Sequence, residues 1–91
     1  MPQIKFTRHL IRFFPTLTGP TSATGNTIAA IITDLDQQYP GLATYIIDEH
    51  GRLRRHVNIF IQNELITDRQ TLSDPVAPDD DIYIFQALSG G

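Results

Sequence analysis

The sequence predicts a two-layer α+β domain, a single β-sheet with one dominant helix packed on one face. Three observations predict it. Ile28, Ile31, Ile32, Leu35 and Tyr39 recur at helical spacing in the middle of the chain. The segments on either side alternate apolar and polar residues or concentrate β-branched and aromatic ones, as half-buried strands do. At 91 residues the chain has room for one domain with one modest core.

Residues 2–7 place Ile4 and Phe6 on one side and Lys5 and Thr7 on the other, a first strand. Alternation breaks down over residues 9–18, which read as an irregular apolar loop. Gly19-Pro20 supplies a turn, and residues 21–24 form a short strand before Gly25 interrupts it. Together these make a hairpin with a long connection. The helix follows, capped at its start by Asn26 or Thr27 and stopped by Pro40-Gly41. Residues 42–47 add a short helical turn, and residues 48–55 form a charged loop containing Gly51.

Residues 57–62 read as a strand with Val57, Ile59 and Ile61 on one face and Phe60 on the other. A tight turn at Asn63-Glu64, where Asn tolerates positive φ, leads to a short strand at residues 65–66. Residues 71–81, with Pro75, Pro78 and three consecutive Asp, form a loop; residues 82–85 make the last strand. One helix can cover only one face of this sheet. Phe60, Tyr83 and Phe85 point the other way and require another explanation.

Acidic residues outnumber basic ones, giving a net charge of −3, which argues against binding a nucleic-acid backbone or an anionic membrane. No signal peptide or membrane span is visible, and the expected location is the cytoplasm. The absence of cysteine excludes a disulfide framework, a thiolate metal site and a cysteine nucleophile. Residues 19–27 carry glycines but no Lys before the final Thr, so they are not a phosphate loop. Arg52, Arg54 and Arg55 read as a solvated loop rather than a site for an acidic or phosphorylated partner. His50, His56 and the run Asp79 to Asp81 lack a metal-ligand pattern and read as structural. With no triad, metal cluster or acid-base pair, the chain is not expected to be an enzyme.

The remaining feature is the small-residue tail, residues 87–91, ending Leu88-Ser89-Gly90-Gly91. Extended, five residues reach about 16–18 Å beyond a domain comprising residues 1–86. Glycines lack a Cβ and pass through a narrow channel, so the tail can thread another protein's active site and present the Gly91 carboxylate. Adenylation with ATP would make that carboxylate electrophilic, and displacement of AMP by a sulfur nucleophile would leave a thiocarboxylate. Such a carrier needs no cysteine of its own.

Three segments carry a resemblance: TSATGNTIAAIITDLDQQYPGL, RLRRHVNIFIQNELI and APDDDIYIFQALSGG. Over residues 22–91 the chain resembles the ThiS/MoaD family of ubiquitin-like β-grasp sulfur carriers, and within it the CysO-type carriers of cysteine biosynthesis. The resemblance implies a mixed sheet of four to five strands, with the first and last side by side and a partner surface opposite the helix. Gly90 and Gly91 fall on the family's diglycine, with Gly91 the site of adenylation and thiocarboxylate formation. Phe60, Phe85, Leu88 and Ser89 fall to partner binding. Departures are Asp79-Asp80-Asp81 in place of Asp-Gly-Asp, with Asp80 taking up the turn at some cost, and Gln86, Ser89 and Asn63-Glu64 in place of proline, alanine and Asn-Gly.

The implied partners are an E1-like adenylyltransferase of ThiF/MoeB type, which uses the ATP, and a sulfur-accepting enzyme making cysteine, molybdopterin or thiamin. The chain itself would bind no cofactor or metal and would be monomeric alone. Two alternatives stay open: a ubiquitin-like modifier joined to lysines, with Lys5 the chain's single lysine, and the small subunit of a molybdopterin synthase-type complex.

Overall fold

The computed structural model describes residues 1–6 and 21–86. The loop expected at 9–18, the turn at Gly19-Pro20 and the tail at 87–91 lie outside the described residues. The elements run β1 (Gln3–Phe6), β2 (Thr21–Ser22), α1 (Ile28–Gln38), α2 (Ala43–Ile46), β3 (Val57–Ile61), β4 (Glu64–Leu65) and β5 (Asp81–Gln86). The five strands form one sheet in the order β2-β1-β5-β3-β4. β1 pairs parallel to β5 with Ile4 beside Ile82; the β1–β2, β3–β5 and β3–β4 pairs are antiparallel. The mixed sheet, the neighbouring first and last strands and the single-face helix are as expected.

The helical periodicity becomes burial: Ile28, Ile31, Ile32 and Leu35 of α1 are buried against Ile4, Val57, Ile59, Ile82 and Ile84 of the sheet. Of the two candidate caps, Thr27 serves, its Oγ1 accepting the Ala30 N–H at 3.1 Å. At the other end the Tyr39 N–H reaches Leu35 O at 2.8 Å, and Pro40, which lacks an N–H, ends the ladder. Asp36 Oδ1 then accepts the N–H groups of Gly41 at 3.2 Å and Ala43 at 3.0 Å, turning the chain into α2. Gly25 precedes α1 where backbone passes close to helix. A Cβ there would lie 2.8 Å from Ala30 Cβ and 2.9 Å from Ile31 N.

The long loop between β4 and β5 is built on two carboxylates. Asp68 accepts the N–H groups of Gln70 and Thr71, each at 3.0 Å, and of Ser73 at 3.2 Å, together with the hydroxyls of Thr71 and Ser73. Asp74 accepts the Thr67 N–H at 3.0 Å and the Asp68 N–H at 2.8 Å. Within this frame the buried Leu72 takes a left-handed φ of 57°, unusual for a bulky residue. The loop then serves the helix: Leu72 O and Asp74 O accept the N–H groups of Ala29 and Ile28 at 2.9 and 3.1 Å, donors that a helix cannot satisfy from within.

Two expectations are corrected. The β3–β4 turn is Gln62-Asn63, one residue earlier than Asn63-Glu64, and β4 accordingly begins at Glu64. Ile61 pairs with Glu64, and the positive φ, 58°, falls on Gln62. The reason lies in β5, whose Asp81 O accepts the Gln62 N–H at 2.7 Å and fixes that residue beyond the end of β3. Asp80, in turn, incurs no left-handed conformation. Its Oδ2 accepts the Ala77 N–H at 2.8 Å and its own N–H donates to Ala77 O at 3.0 Å, so the turn needs no glycine.

Gly25→Ala is expected to lower stability by about 1–3 kcal/mol through overpacking, read by urea denaturation. For Asp68, hydrogen bonds led by the Ser73 and Thr71 hydroxyls hold the folded carboxyl well below the usual carboxylate range. A depressed folded pKa means that its stabilisation is complete above the unfolded pKa and is lost as pH falls toward the folded one. Asp68→Asn is therefore expected to be less stable than the parent at pH 7, with the gap closing on acidification; a gap independent of pH would contradict this.

Candidate functional site

Side chains on a strand alternate between faces, so β5 sends Ile82 and Ile84 to the helix and Asp81, Tyr83 and Phe85 to the opposite, open face. On β3 the same rule turns Val57 and Ile59 inward and Asn58 and Phe60 outward. The register places Phe60 beside Tyr83 and Asn58 beside Phe85. The Phe60 and Phe85 rings meet edge to face, with centroids 5.6 Å apart and planes at 85°, the arrangement that aromatic quadrupoles favour. Phe60 is half-buried, whereas Phe85 keeps 46% of its surface exposed. The three residues left without an explanation by the sequence thus form one patch.

The patch is larger than the sequence reading made it. Leu65 pairs with Phe60 across β3–β4 and is 50% exposed. It went unremarked because a strand of two residues is too short to show an alternation. Lys5, beside Tyr83 on β1, holds its ammonium 5.3 Å from the centroid of the Tyr83 ring and 3.5 Å from its hydroxyl. The open face therefore presents Leu65, Phe60 and Phe85 in continuity, with a phenol and an ammonium at one side.

The root of the tail lies at the end of β5, where Gln86 pairs with Val57 and its Nε2 is 3.3 Å from His56 Nε2. Arg69 braces this corner from the β4–β5 loop. Its guanidinium donates to Asn58 Oδ1 at 3.1 Å, Arg54 O at 2.8 Å and Val57 O at 3.0 Å. No sequence signal singled out Arg69, because its acceptors, mostly backbone carbonyls, are brought together only by the fold. Leu88, Ser89, Gly90 and Gly91 lie outside the described residues.

The charged loop at 48–55 closes on Asp48, whose Oδ1 accepts the N–H groups of His50 at 2.8 Å and Arg52 at 3.0 Å. The Arg52 N–H, foremost, holds the Asp48 carboxyl below its ordinary value. Gly51 at φ 79° makes the turn. His50 stands 3.6 Å from Glu49 at the exposed tip. Among the described residues no group of three or more His, Cys, Asp or Glu side chains is placed to hold a metal ion, and no helix is long and apolar enough to cross a membrane.

Comparison with known proteins addresses the chain as a whole. The ThiS family model matches residues 11–91. The sulfur carrier protein CysO of Mycobacterium tuberculosis (strain H37Rv) is 35% identical over 72 residues, covering 77% of each chain. A crystal structure of Mycobacterium tuberculosis CysO has a TM-score of 0.84 at 27% identity, covering 97% of this chain and all of that one. The crystal structure of the BexX/CysO complex of Amycolatopsis orientalis contains a chain of the same fold, with a TM-score of 0.83 at 21% identity and full coverage of both chains. The ubiquitin-like sheet and helix are common to all of these, and with a family match that runs through to Gly91, the chain belongs to the ThiS family.

Proposed function

We propose that this chain is a sulfur carrier of the CysO type, a protein co-substrate rather than a catalyst, with Gly91 as the loaded residue. The observation that carries the reading is the family match reaching Gly91, together with the identity to a sulfur carrier protein. A carboxylate resists nucleophiles because of its charge and its poor leaving group. An E1-like adenylyltransferase of ThiF/MoeB type would remove both obstacles: a Gly91 carboxylate oxygen attacks the α-phosphorus of ATP, pyrophosphate leaves, and an acyl-adenylate forms. A sulfur nucleophile then attacks the acyl carbon and expels AMP. The resulting thiocarboxylate is ionised near neutral pH and nucleophilic, as thiolates are, and passes its sulfur to a biosynthetic enzyme, that of cysteine synthesis on the likeness to CysO.

The chain's own part is presentation. Gly90 and Gly91, without side chains, let a partner's channel close around the tail, and Leu88 and Ser89 contact its mouth. Phe60 and Phe85, with Leu65 beside them, dock on the activating enzyme through the open face. An exposed aromatic in such a patch is the kind of residue that dominates binding energy. ATP is consumed on the partner; this chain needs only to deliver a carboxylate.

Expression with the native adenylyltransferase, ATP and a sulfur donor is expected to add mass equal to the exchange of one oxygen for sulfur, read on the intact protein. Deletion of Gly91 is expected to abolish that gain with the fold unchanged by circular dichroism; loading of the truncated chain would refute the assignment. Phe85→Ala combined with Leu65→Ala is expected to weaken binding to the activating enzyme at least ~10-fold, a loss of ~1.4 kcal/mol or more, while melting temperature moves little because both side chains are half exposed in the free protein. Unchanged affinity would remove the open face from the interface.

A further inference from the structure

The arginines of the charged loop have a place in the fold that their sequence did not reveal. Arg52 and Arg55 line one open groove with Arg69, Gln70, Leu53 and Asp48, and this groove adjoins the root of the tail. Val57 follows Arg55 and His56 directly and pairs with Gln86, and Arg69 spans to the carbonyls of Arg54, Arg55 and Val57. The charges of these side chains are poorly compensated. Arg52 has Asp48 at 3.8 Å, but Arg69 meets only carbonyl and amide oxygens and Arg54 donates to Thr44 O at 2.7 Å. Among the described residues no carboxylate forms an ion pair with Arg54, Arg55 or Arg69.

The other end of β5 is opposite in sign. Asp79, Asp80 and Asp81 lead into the strand, and Glu64 pairs with Ile61 beside it. Five residue steps along β5, about 16 Å, separate an acidic end from a basic end in a chain whose net charge is −3. The tail leaves from the basic end.

Resting on the carrier reading above, we propose that Arg52, Arg55 and Arg69 form a basic collar around the tail root that docks on an acidic rim at the mouth of the activating enzyme's tail channel. A charge separation along the strand that launches the tail turns the carrier tail-first in the field of an acidic mouth, and such steering acts mainly on association rate. The groove suits a protein surface better than a small anion. Asp48 lines it and repels a lone anion, whereas a protein rim can set its carboxylates against Arg55 and Arg69 and clear of Asp48.

The test measures the association rate of the full chain with its adenylyltransferase at ionic strengths of about 0.01 and 1 M, where charges are felt over about 30 and 3 Å. Arg55→Glu, at an exposed side chain, changes net charge by two units. Gln37→Glu combined with Ala77→Glu makes the same net change at exposed positions away from the groove. The collar predicts that Arg55→Glu slows association roughly 10-fold at the lower ionic strength, that the remote pair slows it less than about 2-fold, and that the difference vanishes at the higher. Equal slowing by both variants would reduce the effect to net charge and overturn the collar. So would no slowing, acceleration, or a difference that survives high salt. If the unaltered chain neither binds nor gains sulfur, the carrier reading fails as well; if it does both while the two variants behave alike, the collar alone fails.

Discussion

The chain's last strand is the centre of its sheet. β5 is flanked by β1 on one side and β3 on the other, so residues 78 positions apart, Lys5 and Tyr83, become neighbours. Loop closure over such a span is unfavourable until the strand pairs form, and the register of β5 then decides everything around it. Ile82 and Ile84 complete the core under α1, Tyr83 and Phe85 face the open side, and Gln86 ends the strand beside Val57. A one-residue slip would exchange core and open face together. Core and open face are thus fixed by a single registration.

The loop between β4 and β5 supports that arrangement from the other layer. Its carbonyls at Leu72 and Asp74 meet the first N–H groups of α1, and its Arg69 holds the start of β3. Helix and sheet are therefore joined by packing and by one loop that hydrogen-bonds to both. The left-handed Leu72 is tolerated because Asp68 dictates the backbone around it, accepting N–H groups on both sides. An ionised carboxylate surrounded by donors acts as the organising centre of a segment that has no regular structure.

What could be read from the residues follows the same physics. Periodic patterns gave α1 and the long strands, because burial on one face is imposed at every turn or every second residue. The open-face position of Phe60, Tyr83 and Phe85 followed by elimination, since one helix cannot cover both sides. The β3–β4 turn was misplaced by one residue because the deciding contact, Gln62 N–H to Asp81 O, lies 19 residues away and leaves no local trace. Arg69 was lost for the same reason, as three of its acceptors are main-chain oxygens. Asp68 stands among Thr and Ser residues that resemble any polar loop until their hydroxyls and amides are seen converging. The role read for the diglycine rests on chemistry alone, because Gly90 and Gly91 lie outside the described residues.

The outer strands of the described sheet, β2 and β4, are only two residues long each. Few unpaired main-chain groups are left along them, and β4 carries Glu64 at its tip. A sheet so trimmed offers little template for strand addition, the contact by which exposed edges recruit unrelated chains into aggregates. A protein with an exposed aromatic patch can in this way remain selective, because the surface that is sticky carries a specific shape and the surface that is shapeless has been shortened until it is not sticky.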